Sequence, residues 1–245
     1  MILEIDCGNT LIKWRVFDAS SQLVSISGAA HDLDALMREL CERTPESIAS
    51  VRIVSVRSDA ETDALVRALQ NKFSVTVSLA CSSTYLSGVT NGYAQPHLLG
   101  TDRWLALVSA YDLMRSACLV LDLGTAVTSD FVTAKGLHLG GYICPGVRLM
   151  REQLGRHAGR INIHQGARTD CRIPGITTAE AVEGGTQLML SGFVDTQINI
   201  AREVLGETFS VVITGGDASL IAASLTSAVI VPDLVFRGLR LAIPD

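Results

Sequence analysis

Lysine is scarce in this 245-residue chain: Lys13, Lys72 and Lys135 stand against 17 arginines. The formal net charge is −5. Non-specific nucleic-acid binding rests on clustered cations that neutralise phosphates, so it is disfavoured as the main task, although a local basic patch stays open. No apolar run reaches the roughly 18 residues a membrane-spanning helix needs, and no secretory signal follows Met1. The six cysteines, Cys7, Cys41, Cys81, Cys118, Cys144 and Cys171, form no C-x-x-C pair and no cluster with histidine. A zinc site is therefore not expected, and the reading is a reduced, cytoplasmic protein without a membrane partner. The five histidines show neither H-x-x-x-H nor H-E-x-x-H spacing. G-x-x-x-x-G-K-[ST], G-x-S-x-G and G-x-G-x-x-G are all missing, which excludes the Walker phosphate loop, the nucleophile elbow and the usual dinucleotide loop.

What remains is a chain with 48% hydrophobic and 18% charged residues, enough for a real core. Residues 2–6 read as a buried strand. Residues 11–17 alternate, with Ile12, Trp14 and Val16 on one face and Lys13 and Arg15 on the other. Residues 23–28 add a third strand, so the opening is an antiparallel meander. Helices are expected near 32–43 and 58–73, strands at 50–56 and 74–79, and a helix at 100–114 with Trp104, Leu105, Leu107, Val108 and Tyr111 on its apolar stripe. The pattern then restarts. Residues 117–143 read as three strands and 145–154 as a helix. Residues 155–175 form a polar, Arg-rich loop, read either as a solvated segment or as a lid over an anion. A helical stretch over 177–205 is expected to break or bend near Gly184 and Gly185. A strand, a double-glycine turn and a helix follow over 209–225, then a strand at 228–232 and a last helix.

The restart is the main clue to architecture. LEIDCGNTLIKWRVFD and LVLDLGTAVTSDFVTA share an apolar strand, an aspartate (Asp6, Asp122), a glycine, a threonine and a returning strand. Two similar halves, each a meander followed by strand–helix alternation, predict a duplicated α/β fold with a cleft between the copies. No Pro- or Ser-rich linker marks the boundary, which is placed at 115/116 to give domains 1–115 and 116–245.

Asp6-Cys7-Gly8-Asn9-Thr10 supports two readings. Gly and Asn tolerate positive φ and suit a hairpin turn. A glycine also lets backbone N–H groups approach a phosphate, Thr10 adds a hydroxyl, and Lys13 adds a point charge. A carboxylate at the strand end, Asp6, suits Mg²⁺ held through water. The echo at Asp122, Gly124 and Thr125, and the late Gly215-Gly216 after an apolar strand, favour the nucleotide reading, since a double glycine allows a flat ring close to the backbone. In GTDRW (100–104), an acid in the first turn of a helix is either a dipole complement with Thr101 or Asp102 as cap, or an acid facing an acceptor hydroxyl beside an anion pocket.

These motifs resemble a known family. The two Asp-x-Gly loops and the late Gly-Gly strand are similar to the acetate and sugar kinase, heat-shock chaperone and actin superfamily. Within it, DCGNTLIKW (6–14), GTDRW (100–104), DLGTAVTSDFV (122–132), GGYICPG (140–146) and TTAEAVEGG (177–185) resemble type III pantothenate kinases, the family that also contains the Bordetella transcriptional accessory factor. The resemblance spans nearly the whole chain. It implies two duplicated ribonuclease H-like domains, each a mixed sheet flanked by helices, with ATP between them. It implies phosphorylation of pantothenate to 4'-phosphopantothenate, the first step toward coenzyme A, with Asp102 as catalytic base.

By the same resemblance, Asp6, Cys7, Gly8, Asn9, Thr10, Leu11, Ile12, Lys13 and Thr125 line the ATP phosphates. Tyr93, Gly100, Thr101, Asp102, Arg103 and Thr178 line the pantothenate site. Asp122 helps bind a monovalent cation, K⁺ or NH4⁺, beside the Mg²⁺ that accompanies ATP. Asp130 is expected to make a structural hydrogen bond. A homodimer is implied, with the 177–205 stretch as candidate interface and no nucleic-acid partner. The alternatives are a non-catalytic regulator on the same fold and a kinase of another small hydroxylated acid or sugar.

Overall fold

A computed structural model describes residues 1–18, 20–21, 23–44, 47–158, 171–222, 225 and 227–244. It divides into two compact units, Met1–Leu113 with Asp233–Asp245, and Met114–Pro232. The last segment, expected with the second domain, thus belongs with the first.

In the first unit, β1 (Ile2–Cys7), β2 (Ile12–Asp18) and β3 (Leu23–Ala30) form the expected antiparallel meander. Helix α1 (Leu33–Arg43) follows, then β4 (Ser50–Ser55), α2 (Asp59–Phe73) and β5 (Thr76–Leu79). The sheet order is β3-β2-β1-β4-β5, with β4 parallel to β1 and β5 parallel to β4. The helix starts are written locally. The Asp32 carboxylate accepts from Ala35 N at 2.7 Å, and Ser58 and Glu61 form a reciprocal capping box. Leu36, Leu40, Leu65 and Leu69 bury their side chains with Leu3, Ile5 and Trp14 on one face of the sheet. Each such side chain contributes about 1.5–3 kcal/mol of burial. The small ribbon β6 (Tyr85–Leu86) and β7 (Val89–Thr90) leads to α3 (Thr101–Met114).

The second unit repeats the plan. Strands β8 (Cys118–Leu123), β9 (Ala126–Val132) and β10 (His138–Pro145) form a meander. Helices α4 (Val147–His157) and α5 (Thr178–Leu205) precede β11 (Ser210–Thr214), α6 (Ser219–Ala222) and β12 (Val229–Ile230). The order is β10-β9-β8-β11-β12, the same pattern as in the first unit, with β11 parallel to both neighbours. Two mixed five-stranded sheets flanked by helices make this a duplicated α/β protein.

Three expectations change. Helix α5 runs unbroken for 28 residues through Gly184 and Gly185. Its Thr177–Glu180 capping box and buried Thr186, Leu190, Val194, Gln197 and Ala201 offset a glycine cost of about 1 kcal/mol each. Helix α4 extends to His157, so Arg156 and His157 are helical rather than in a loop, while Arg160, His164 and Arg168 lie outside the described residues. Helix α3 is buried along Arg103–Ala110 rather than on one stripe.

Helix α7 (Leu234–Ala242) returns to the first unit, packs on β1 and β4, and meets α3 at Leu105. A Cβ on Gly238 would overlap the Leu105 carbonyl, so the two helix backbones touch. The same return covers Arg15 on the opposite face of β2 from Trp14. Arg15 is buried, with Nε donating to Glu4 Oε2 at 2.6 Å and Nη1 to Asp233 Oδ2 at 3.0 Å, and its guanidinium lies 4.4 Å from the Phe236 ring centroid.

Candidate active site

The site in the first unit grows from the end of β1. Asp6 pairs across the sheet with Lys13, and Cys7 with Ile12, leaving residues 8–11 as the turn. Gly8 N donates to the Leu11 carbonyl at 3.1 Å, which closes the hairpin. Gly8 is not in the left-handed region, so positive φ is not the reason for this glycine. A Cβ there would come 3.2 Å from the Leu11 carbonyl oxygen, and crowding is the better explanation. Asn9 is exposed, Thr10 and Leu11 are half-buried, and Ile12 is buried.

Arg57, absent from the expected site, holds this turn from outside. Its Nε donates to the Gly8 carbonyl at 3.0 Å, and Val56 N donates to the Cys7 carbonyl at 3.2 Å. No sequence pattern marked Arg57, because it reaches Gly8 from the end of a different strand.

Burial pushes the Asp6 carboxyl up to about 6, Lys13 opposes the shift, and the Asp102 charge reinforces it. Two regions far apart in sequence are therefore electrostatically coupled. Asp102 lies in the first turn of α3. Its Oδ1 accepts from Arg103 N at 2.7 Å, and Trp104 N donates to the Gly100 carbonyl at 2.9 Å. A Cβ on Gly100 would lie 2.9 Å from Asp102 Oδ1, so the glycine leaves room for that carboxylate. Thr101 and Asp102 are half-buried. Arg103 is buried, and its Nη1 donates to the Tyr93 hydroxyl at 2.9 Å.

Asn91 is a second residue the sequence reading missed. It is buried; Nδ2 donates to the Ser83 and Pro96 carbonyls at 3.1 and 3.2 Å, and Oδ1 accepts from Tyr93 N at 3.0 Å. These bonds fix the loop that presents Tyr93. The expected residues Asp6–Lys13, Tyr93 and Gly100–Arg103 all belong to this unit.

Asp122, Thr125 and Thr178 belong to the second unit. Its turn is shorter than the first, with only residues 124–125 between β8 and β9. Gly124 N donates to the Ala126 carbonyl at 3.1 Å. Gly124, like Gly8, is not left-handed. The cross-strand partner of Asp122 is Thr128, so this copy lacks the counterpart of Lys13. Gly146, before α4, presses on the turn: its N donates to the Thr125 carbonyl at 2.9 Å, and a Cβ would overlap the Gly124 carbonyl. Asp122 supplies a carboxylate at the end of β8, an oxygen donor of the chemical kind that hard cations take.

Gly215 has φ 95°, and a Cβ would overlap the Leu123 backbone, so close passage over β8 accounts for it. Gly216 has no atom within 4 Å of its Cβ position. Burial raises the neighbouring Asp217 carboxyl pKa, against Arg151 and Arg148, which lower it. Asp130 makes the expected structural hydrogen bond, with His138 Nε2 2.9 Å from Oδ1 and both residues buried. Thr178 is exposed, one residue beyond the Thr177 cap of α5.

A family profile described as Type III pantothenate kinase matches residues 2–200. A type III pantothenate kinase from Pseudomonas syringae pv. syringae is 52% identical over 247 residues, covering 100% of this chain and 99% of that protein. One from Azotobacter vinelandii is 50% identical over 249 residues, with the same coverage. Among solved structures, a Baf family protein from Campylobacter jejuni, described as a transcriptional activator, superposes with a TM-score of 0.63 at 18% identity, covering 98% of this chain and 96% of that one. A Sinorhizobium meliloti protein assigned as a 2-dehydro-3-deoxygalactonokinase gives 0.58 at 11%, covering 100% of both. These structural likenesses establish the fold, and the sequence matches establish that the chain belongs to the type III pantothenate kinase family.

Proposed function

We propose that the chain transfers the γ-phosphoryl group of ATP to pantothenate, giving 4'-phosphopantothenate and ADP, the first step of coenzyme A biosynthesis. The observation that carries this reading is full-length identity of about half to proteins named type III pantothenate kinase. The local geometry supports it, because an acid at the start of α3 acts electrostatically on the acid at the end of β1.

In this reading Asp102 accepts the proton of the pantothenate primary hydroxyl as the phosphoryl group moves. Arg103, braced by Tyr93, offers a planar donor fork to the substrate carboxylate or to charge developing in the transition state. Gly100, Thr101 and Thr178 complete the pantothenate contacts. Asp6 to Lys13 and Thr125 engage the phosphates. Asp6 would hold Mg²⁺ through water, and Asp122 would bind K⁺ or NH4⁺. Both cations would offset phosphate charge. The raised pKa of Asp6 fits this role, since a carboxylate that is costly to ionise alone gains from a bound cation.

The protein acts as a cytoplasmic homodimer in this reading, with no nucleic-acid partner. Exposed Leu188 and Met189 on α5 and Tyr142 and Ile143 on β10 supply apolar surface for the interface. No helix among the described residues is long and apolar enough to cross a membrane.

The test is phosphopantothenate formation from Mg-ATP in potassium, ammonium and sodium buffers. Turnover with potassium or ammonium and its loss in sodium support the assignment. Folded protein inactive in all three overturns it and leaves the non-catalytic regulator. Activity only on other hydroxylated acids or sugars in a panel would move the assignment to another substrate. Replacing Asp102 with Asn is expected to lower kcat by about 10²–10⁴-fold; near-normal turnover would remove its role. Sedimentation as a monomer would reject the dimer.

A further inference from the structure

Only three lysines exist in this chain, and one of them meets a cysteine. Lys72 Nζ lies 3.1 Å from Cys41 Sγ, as a donor to the sulfur. Cys41 is in the last turn of α1 and is exposed. Lys72 is in the last turn of α2 and is half-buried. Two features keep the ammonium there. It lies 5.0 Å from the Phe73 ring centroid, within cation–π range. It also faces the C-terminal end of α1, where the helix dipole favours a cation. A lysine nitrogen, nucleophilic once it loses its proton, and an oxidisable sulfur are thus in contact, at the surface, on two helices that no disulfide joins. Neither residue has any part in the proposed kinase site.

We propose that Cys41 and Lys72 form a redox-dependent covalent crosslink between α1 and α2, with hydrogen peroxide as the oxidant. The chemistry takes two steps. The Cys41 thiol loses its proton to solvent, and the thiolate sulfur attacks one peroxide oxygen. The O–O bond breaks, sulfur becomes a sulfenic acid, and the departing hydroxide takes a proton from the Lys72 ammonium to leave as water. Lys72 is now a neutral amine beside an electrophilic sulfur. Its lone pair attacks that sulfur, the S–O bond breaks, and the hydroxide leaves as a second water with a proton from nitrogen. Sulfur is oxidised by two electrons, one peroxide is reduced, and the product is an S–N bond. A thiol reductant reverses it by attack on that sulfur.

The crosslink closes a loop of about thirty residues, which restricts the unfolded chain as a disulfide would. An increase in Tm on the order of 5–10 °C follows.

The experiment uses the full-length protein. It is treated with hydrogen peroxide, residual thiols are alkylated, and digested peptides are weighed. The expected product joins the Cys41 and Lys72 peptides, lighter by two hydrogen atoms than their sum. It disappears with dithiothreitol, and Tm rises with its yield. Cys41→Ser and Lys72→Arg abolish both changes; the arginine retains the charge but its guanidinium is a poor nucleophile. Oxidation of Cys41 to sulfinic or sulfonic acid without a linked peptide overturns the proposal. So does a disulfide from Cys41 to Cys81, or a linked product that persists in Lys72→Arg. A linked product heavier by one oxygen atom would place oxygen in the bridge and overturn the S–N step.

Discussion

Arg103 donates from Nη1 to the Tyr93 hydroxyl at 2.9 Å, and its guanidinium carbon lies 5.8 Å from the centroid of the same ring. One tyrosine thus braces the arginine by a hydrogen bond and by its ring. Tyr93→Phe keeps the ring and removes the bond, which contributes about 1 kcal/mol. KM for pantothenate should rise about three- to tenfold with kcat little changed. Steady-state kinetics check this, and an unchanged KM would show that Arg103 needs no such brace.

The pH response of Asp6 has a definite sign. Its carboxyl pKa is 3.8 unperturbed and about 6 in the fold, through burial first, with Lys13 opposing and Asp102 reinforcing. Above pH 6 it is ionised in both folded and unfolded chains, and the fold bears the cost. As pH falls through 6 the folded chain takes up a proton the unfolded chain does not, so this group's penalty shrinks until the pH is below 4. Without metal, Asp6→Asn should therefore stabilise the protein at pH 8 by about 1–3 kcal/mol, and hardly at all at pH 4. Denaturant melts of both proteins at the two pH values measure it. Apparent Mg²⁺ affinity of the parent should weaken below pH 6, because the protonated carboxyl no longer attracts a cation.

Glu4 is wholly buried between arginines. Oε2 accepts from Arg15 at 2.6 Å and Oε1 from Arg52 at 3.3 Å, and Arg240 approaches to 3.8 Å. Glu4→Gln keeps the shape and removes the charge, leaving buried guanidinium groups short of an anion. Breaking such a pair costs about 3–5 kcal/mol. A urea midpoint within error of the parent would show that Asp233 alone compensates the cluster.

Gly146 should tolerate no side chain. A Cβ would overlap the Gly124 carbonyl and force the Asp122–Thr125 turn to move. Gly146→Ala is expected to lower kcat/KM for ATP by about tenfold or more, since the phosphate contact proposed for Thr125 would lose its alignment. Gly216→Ala, where the Cβ position is open, is the control and should fold with its turn unmoved. Equal activity of Gly146→Ala and the parent would separate the turn from nucleotide binding.

Much of the fold was legible because its signals are local. Alternation in 11–17, Asp32 and the Ser58–Glu61 pair as helix starts, and the repeated Asp-x-Gly turn each lie within a few residues of the structure they direct. The turns that present the candidate residues Asp6–Lys13 and Asp122–Thr125 were legible in the same way. Arg57 and Asn91 were not, because their partners lie on other elements: Gly8 for Arg57, and Ser83 and Pro96 for Asn91. Positive φ, one of the two reasons offered for Gly8, does not apply there; the Leu11 carbonyl oxygen, 3.2 Å from where a Cβ would stand, is the tighter constraint.

By itself the sequence determined the two meanders, the order along the chain of the strands in the two five-stranded sheets, and the placing of Asp6, Asp102 and Asp122 at element ends, but not the β6–β7 ribbon. Period, capping and turn chemistry act over short spans, so they can be read without a fold. Tertiary structure alone decided three things. It brought α7 back to the first unit, against Arg15 and against the α3 backbone at Leu105. It kept α5 continuous through two glycines, with its buried face packed in the second unit. It coupled Asp6 to Asp102, because electrostatic energy depends on distance and burial, and neither is encoded in spacing along the chain.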